Sequence, residues 1–343
     1  GGLGDGDQNA GVLVTGSGSR ISSNGAAVLV EGTGGGAGAS QANFGVFVSS
    51  AGTITSAGAG PGATVTVRGF GGNTTGTGSY NCGVYVDGSG SLIASGGGAV
   101  LVEGTGGGAG ASGVNRGVYI HNGTVTSAGT AAGATVTVKG YGGNFGTTSG
   151  NDNLGVRVDS YGQITSSGGA VLVEGTGGGG AGDFNHGVYL ATAGVITSAG
   201  SGSSATVTVK GAGGNTGGIS GNWNYGVAVL DIDSRITSSG GAVLVEGTGG
   251  GAGSSVSNHG VYVAGKGTIT SSATETAVTV RGFGGNTTSP GVSDSSVGNH
   301  GVTVTGTGSQ ITSSGGAVLV EGTGGGGGVT GGNLGVYISS AGT

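Results

Sequence analysis

The chain has 343 residues, 95 of them glycine, only two prolines and a formal net charge of −6. Glycine at this level without a Gly-X-Y period or abundant proline excludes collagen, and the lack of any basic run argues against nucleic acid as a partner. No apolar stretch approaches the ~18 residues of a membrane-spanning helix, and a single cysteine, Cys82, excludes an intrachain disulfide framework.

The opening "GGLGDGD" carries the residue types of Ca-binding Gly/Asp repeats, but it occurs once and lacks their spacing. From Asn9 a regular order begins. The first unit reads "GVLV", "RISS" and "AVLVEG", followed by a Gly-rich tail that leads to the next Asn. The second reads "GVFV", "TITS" and "TVTVRG", with a similar tail. Gly-Val starts recur at Gly11, Gly45, Gly83, Gly117, Gly155, Gly187, Gly226, Gly260, Gly301 and Gly335, at spacings of 32 to 41 residues. Val, Ile and Thr alternate with period two inside each run, which predicts strands and no helix. Such short runs suit one coil of a parallel β-solenoid, in which each strand pairs with its counterpart in the next coil. The expected fold is all-β: one parallel β-solenoid (β-helix) over residues 1–343, about ten coils of three short strands, right-handed as parallel crossovers are. At ~4.8 Å per coil the rod is on the order of 45 Å long. There is no methionine, the first residues read as the tail of a repeat, and the final "GVYISSAGT" stops inside one. This predicts a mature segment of a longer chain, or one processed at both ends.

Read down the stack, the repeats form columns. Three apolar columns start at Val12, Ile21 and Val28 and return in every complete coil, as β-branched residues filling a narrow core. An Asn column comprises Asn9, Asn43, Asn81, Asn115, Asn153, Asn185, Asn224, Asn258, Asn299 and Asn333; it predicts an asparagine ladder binding the turn backbone and the next coil. A Ser column, from Ser23 to Ser313, is expected to point into a corner and satisfy the bending backbone.

The coils alternate in type. Type A carries "AVLVEGTGGG"; type B carries "TVTV" and then Arg or Lys. One outward column therefore reads Glu31, Arg68, Glu103, Lys139, Glu174, Lys210, Glu246, Arg281, Glu321, with strict alternation of sign. Like charges in adjacent strands repel and unlike charges attract, so the column predicts a solvated ladder that fixes coil register. The same alternation could pair this face with a second rod. Beside it, Leu29, Leu101, Leu172, Leu244 and Leu319 alternate with Thr. Outward leucines in a row predict a cover, either the Gly-rich loop or another chain. On the first strand, B coils carry Phe47, Tyr119, Tyr189, Tyr262 and Tyr337, a second candidate interface or a grip for sugar rings.

Repeats of the form "NxGVYVxGxGxITSSGGAVLVEGTGGG" resemble those of large secreted bacterial surface proteins, the filamentous haemagglutinin-like adhesins and autotransporter passenger domains. The resemblance covers the whole chain. It implies an extracellular or cell-surface β-solenoid rod used in adhesion, matrix or fibre building, and it says little of biochemical activity.

Little in the sequence points to catalysis, a metal or a cofactor. His186, His259 and His300 follow the ladder Asn, with the last two stacked, yet no carboxylate or Cys column joins them. Asp231 and Asp233 stand in one turn without partners, and the acids are not clustered as a polysaccharide lyase or hydrolase requires. Thr53/Thr55, Thr124/Thr126 and Thr268/Thr270 form Thr-x-Thr pairs of the ice-binding kind, interrupted in the A coils. The expectation is a non-enzymatic structural rod that associates with itself, end to end or laterally, or is continued by further coils of its own chain. The alternative is an adhesin stalk that binds glycans or cell surfaces.

Overall fold

The computed structural model describes residues 1–2, 4–144, 150–214, 221–285, 298–326 and 332–343. Each complete coil contributes three strands, which in the first coil are Val12–Thr15, Arg20–Ser23 and Val28–Thr33. First strands from all ten coil starts form one ten-stranded sheet; second and third strands form two nine-stranded sheets. The tenth coil contributes only its first strand, Val336–Ser339. Every pairing is parallel and joins equivalent residues of successive coils, as in Val46↔Val84, Ile54↔Ile93 and Val65↔Val100. The fold is thus an all-β parallel solenoid with three strands per coil.

The period-two alternation decides which side chains enter the core. In the second coil Val46, Val48, Ile54, Val65 and Val67 are all fully buried, and the same five positions recur along the stack as one continuous cluster. Their β-branched side chains stack on their own kind, so each coil presents its neighbour with a matching surface. The sixth inward position, after the outward charge, is always glycine. At Gly175 a Cβ would fall on the carbonyl oxygen of Gly187, which opens the next coil. The third sheet meets the first in backbone-to-backbone contact there, and no side chain fits.

At the corner between the second and third strands the inward Ser closes the bend. Ser166 donates from Oγ to the carbonyl of Ala134 in the preceding coil (2.7 Å) and accepts from the Gly169 amide (2.9 Å). Ser238 repeats this with Ala205 (2.6 Å) and Gly241 (2.8 Å). A buried turn needs such partners for its backbone.

Candidate functional site

The asparagine corner joins all ten coils. In each of nine steps the backbone N–H of one ladder Asn donates to Oδ1 of the next, from Asn9→Asn43 to Asn299→Asn333, at 2.7–3.1 Å. The amide groups also hold the loops: Asn185 Nδ2 donates to the carbonyls of Gly150 and Gly182, both at 3.1 Å. The residue before the ladder Asn is left-handed in each of the first eight coils, with φ between 53° and 67° from Gln8 to Ser257. For non-glycine residues this costs ~1–2 kcal/mol, and it turns the Asn side chain into the corner. The column faces inward, and of its amide nitrogens Asn224 Nδ2 is buried without a hydrogen-bond partner.

The outer face of the first sheet is covered by its own rings. Phe47, Tyr85 and Tyr119 stack at centroid distances of 5.0 and 4.7 Å. The Arg157 guanidinium continues the column between Tyr119 (5.5 Å) and Tyr189 (5.2 Å). The residue after each ladder Asn packs on this column, so Phe44 and Cys82 join a second apolar cluster with Tyr85 and Tyr119. Tyr119 is only 5% exposed, whereas Phe47, Tyr189, Tyr262 and Tyr337 are half-buried. Their ring faces are spent largely within the chain.

One polar cluster breaks this pattern, and the sequence analysis did not find it. Arg116, buried, is sandwiched over Tyr119 (4.5 Å) and Tyr80 (5.4 Å) and pairs with Asp152. Asp159, also buried, accepts from Arg157 Nε (2.5 Å) and meets His121 Nδ1 (2.7 Å); the Tyr119 hydroxyl reaches the same His121 nitrogen at 3.0 Å. His121 and Asp159 occupy equivalent positions of adjacent coils. Each lies six residues after a ladder Asn, Asn115 and Asn153, and nothing in the repeat sets the pair apart. Acid, imidazole and phenol converge on one ring nitrogen with no serine, threonine or cysteine among these contacts. The arrangement balances charge beneath the rings, and the buried Cys82 thiol beside Arg116 is pushed up by desolvation.

The histidine column is buried. His259 and His300 stack at 5.1 Å. Each accepts a backbone N–H from the next coil at Nδ1: Tyr225→His186 (3.1 Å), His300→His259 (3.2 Å) and Leu334→His300 (3.0 Å). Burial, aided at His186 by Arg157 and at His259 by His300, pushes both His186 and His259 down to about 3. Both are therefore neutral acceptors. Among the described residues no three His, Cys, Asp or Glu side chains are grouped to hold a metal.

The third sheet carries the open face. The charge column is in register at all eight steps, from Glu31↔Arg68 to Arg281↔Glu321. Arg68 bridges Glu31 (3.2 Å) and Glu103 (2.7 Å), and Arg281 bridges Glu246 (3.5 Å) and Glu321 (2.6 Å). Lys139 and Lys210 each pair with the following Glu, Glu174 and Glu246, at 3.1 Å. A guanidinium fork serves two neighbours where an ammonium on a flexible stem serves one. These side chains are 31–55% exposed, so the ladder is solvated and each pair adds little stability.

The leucines flank it. Leu29 is 60% and Leu319 43% exposed, while Leu101, Leu172 and Leu244 are half-buried. On the other side lies a third outward column, in which Phe70, Tyr141 and Phe283 alternate with the threonines of A coils. These rings are 47–50% exposed. The described part of the first tail turns to the asparagine corner, where the Gly35 amide donates to the Asn9 carbonyl at 2.8 Å. Ala212 stands where the other B coils have a ring, leaving a groove of about 470 Å³ between Tyr141 and Phe283 with Lys210 at its side. The leucine and first-strand aromatic candidates thus lie on different sheets, and the third-sheet face is regular and partly exposed.

Among the described residues no helix is long and apolar enough to cross a membrane. No protein-family model, curated protein or solved structure matches the chain.

Proposed function

We propose that the chain is a non-enzymatic structural rod of a secreted or cell-surface fibre, matrix or sheath. The observation that carries this reading is the identity of every step: register, core columns and asparagine bonds repeat from the first coil to the last. Such a stack can be lengthened without redesign. A further coil, of this or another chain, would meet at either end the same Val and Ile columns that pair within the stack. The third-sheet charges support a structural role, because acid and base alternate and pair from coil to coil down one column. The likeness of the repeats to haemagglutinin-like adhesins and autotransporter passengers supports a bacterial cell-surface setting.

A second reading is a stalk that binds glycans, favoured by the aromatic-walled groove at Ala212. Electron microscopy separates the two. The purified chain is expected to form long unbranched filaments; discrete short rods that bind cells or glycan arrays would replace the fibre with the adhesin.

A further inference from the structure

The outer face of the third sheet is complementary to itself. An A coil presents Leu, Glu and Thr across its width, as in Leu172, Glu174 and Thr176; a B coil presents Thr, Lys or Arg, and an aromatic, as in Thr137, Lys139 and Tyr141. Except at Ala212, wherever one coil type has a large side chain the other has a small one, and wherever one has an acid the other has a base. We propose that two copies of this chain pair face to face through this sheet, antiparallel, about a two-fold axis that lies between an A coil and a B coil.

The orientation follows from the columns. A two-fold axis along the strand direction keeps each column opposite its own copy and reverses the coil order. If it lies midway between two coils, every A coil meets a B coil. Leu then sits against Thr, Glu against Lys or Arg, and Thr against Phe or Tyr (against Ala at Ala212), in all three columns at once. The alternation of coil types that the charge ladder requires within one chain therefore also produces knobs and holes between chains. Such an interface is isologous and closes at two copies. A parallel pairing would set the leucine column against the aromatic column and lose this match.

The size suffices. Nine third strands are present, so an axis between coils near the middle overlaps eight of them. Eight coils at ~4.8 Å and six-residue strands at ~3.3 Å per residue span about 38 by 20 Å. That is ~750 Å² per partner, or ~1,500 Å² in all, a standard stable interface. The exposed groups it covers include Phe70, Tyr141 and Phe283, 47–50% exposed, and the half-buried leucines. Rows of such residues are uncommon on a lone monomer.

The pairing rests on the rod reading, and mass per unit length tests the two separately. Small-angle scattering and electron microscopy of the full chain in ~50 mM salt are expected to give elongated particles with two chains per coil rise. Elongated particles with one chain per rise overturn the pairing and leave the rod; compact particles overturn both. In a variant with Leu101, Leu172 and Leu244 and also Phe70, Tyr141 and Phe283 changed to Thr, each site receives the residue that the other coil type carries. This variant should keep its β circular dichroism and drop to one chain per rise; a variant that stays paired overturns the proposal. Orientation is read independently by co-expressing, in a Cys82→Ala background, a Tyr141→Cys chain with a Thr176→Cys/Thr248→Cys chain. A short bifunctional thiol reagent should link the two chains, since either eight-coil register sets Tyr141 opposite one of these threonines. No link, from protein of doubled mass per length, overturns the antiparallel arrangement.

Discussion

At the scale of single residues, His186 and His259 make the rod sensitive to acid. Both accept a backbone N–H at Nδ1 inside the stack, and both are held down to about 3. An unfolded histidine binds its proton near 6.5. Above that pH neither state is protonated and the histidines leave stability unchanged. As pH falls from 6.5 toward about 3, the unfolded chain takes up protons that the folded one refuses. Each histidine then lowers stability by ~1.4 kcal/mol per pH unit. Urea unfolding between pH 7 and pH 4 should show this loss. The double variant His186→Tyr/His259→Tyr, which borrows the residue found at Tyr225, should show a slope smaller by about two protons. An unchanged slope would place the acid sensitivity elsewhere. The asparagine corner gives a prediction independent of pH. Asn185 accepts the Asn153 amide at 2.8 Å and holds two loop carbonyls. Asn185→Ala leaves a buried N–H without its acceptor, and a loss of ~1–3 kcal/mol is expected in the same assay.

At the scale of the strand, the phrase "VEG" has two separable parts. Glu174 faces solvent and Gly175 faces the junction with the first sheet. Gly175→Ala would force a methyl onto the Gly187 carbonyl, and overpacking of this kind should cost ~1–3 kcal/mol or more. Gly6→Ala, at a site with open space around it, is the control and should leave the melting temperature unchanged. Changing Arg68, Lys139, Lys210 and Arg281 together to Glu makes every step of the ladder repulsive. The coils should then fail to stack at low salt and recover as salt screens the column, a difference that circular dichroism can follow; an unaltered rod at low salt would deny the ladder its role in register. These columns were legible from sequence because each position meets its own copy in the next coil, so period and environment coincide. The third outward column was equally readable, since Phe70, Tyr141 and Phe283 each follow a base and a glycine, but it was absorbed into the Gly-rich tail. The cluster of Arg116, Asp152 and Asp159 was not legible. It depends on residues 36 positions apart that occur in one pair of coils only, and no repeat marks them.

At the scale of the whole molecule, stability in a stack of this kind is a sum of coils and of the steps between them. The A–B alternation makes one step unlike two. Deleting residues 187–225 removes a single B coil and brings Glu174 against Glu246 and Leu172 against Leu244. Deleting residues 187–259 removes two coils and brings Glu174 against Arg281, as in the native order. In both cases the Asn, Val and Ile columns close over the cut with their residues matched. The two deletions therefore differ chiefly in the outward columns. The shorter deletion, despite keeping one coil more, should be the weaker protein per coil by on the order of 1 kcal/mol, from like charges set in adjacent strands. Its deficit should shrink between ~20 mM and ~1 M salt, because the charges are solvated, while the longer deletion should respond little. Urea unfolding of both at the two salt concentrations measures this directly. Equal stability per coil at low salt would mean that the ladder does not specify register, and that the inward columns and the asparagine corner alone hold the coils in order.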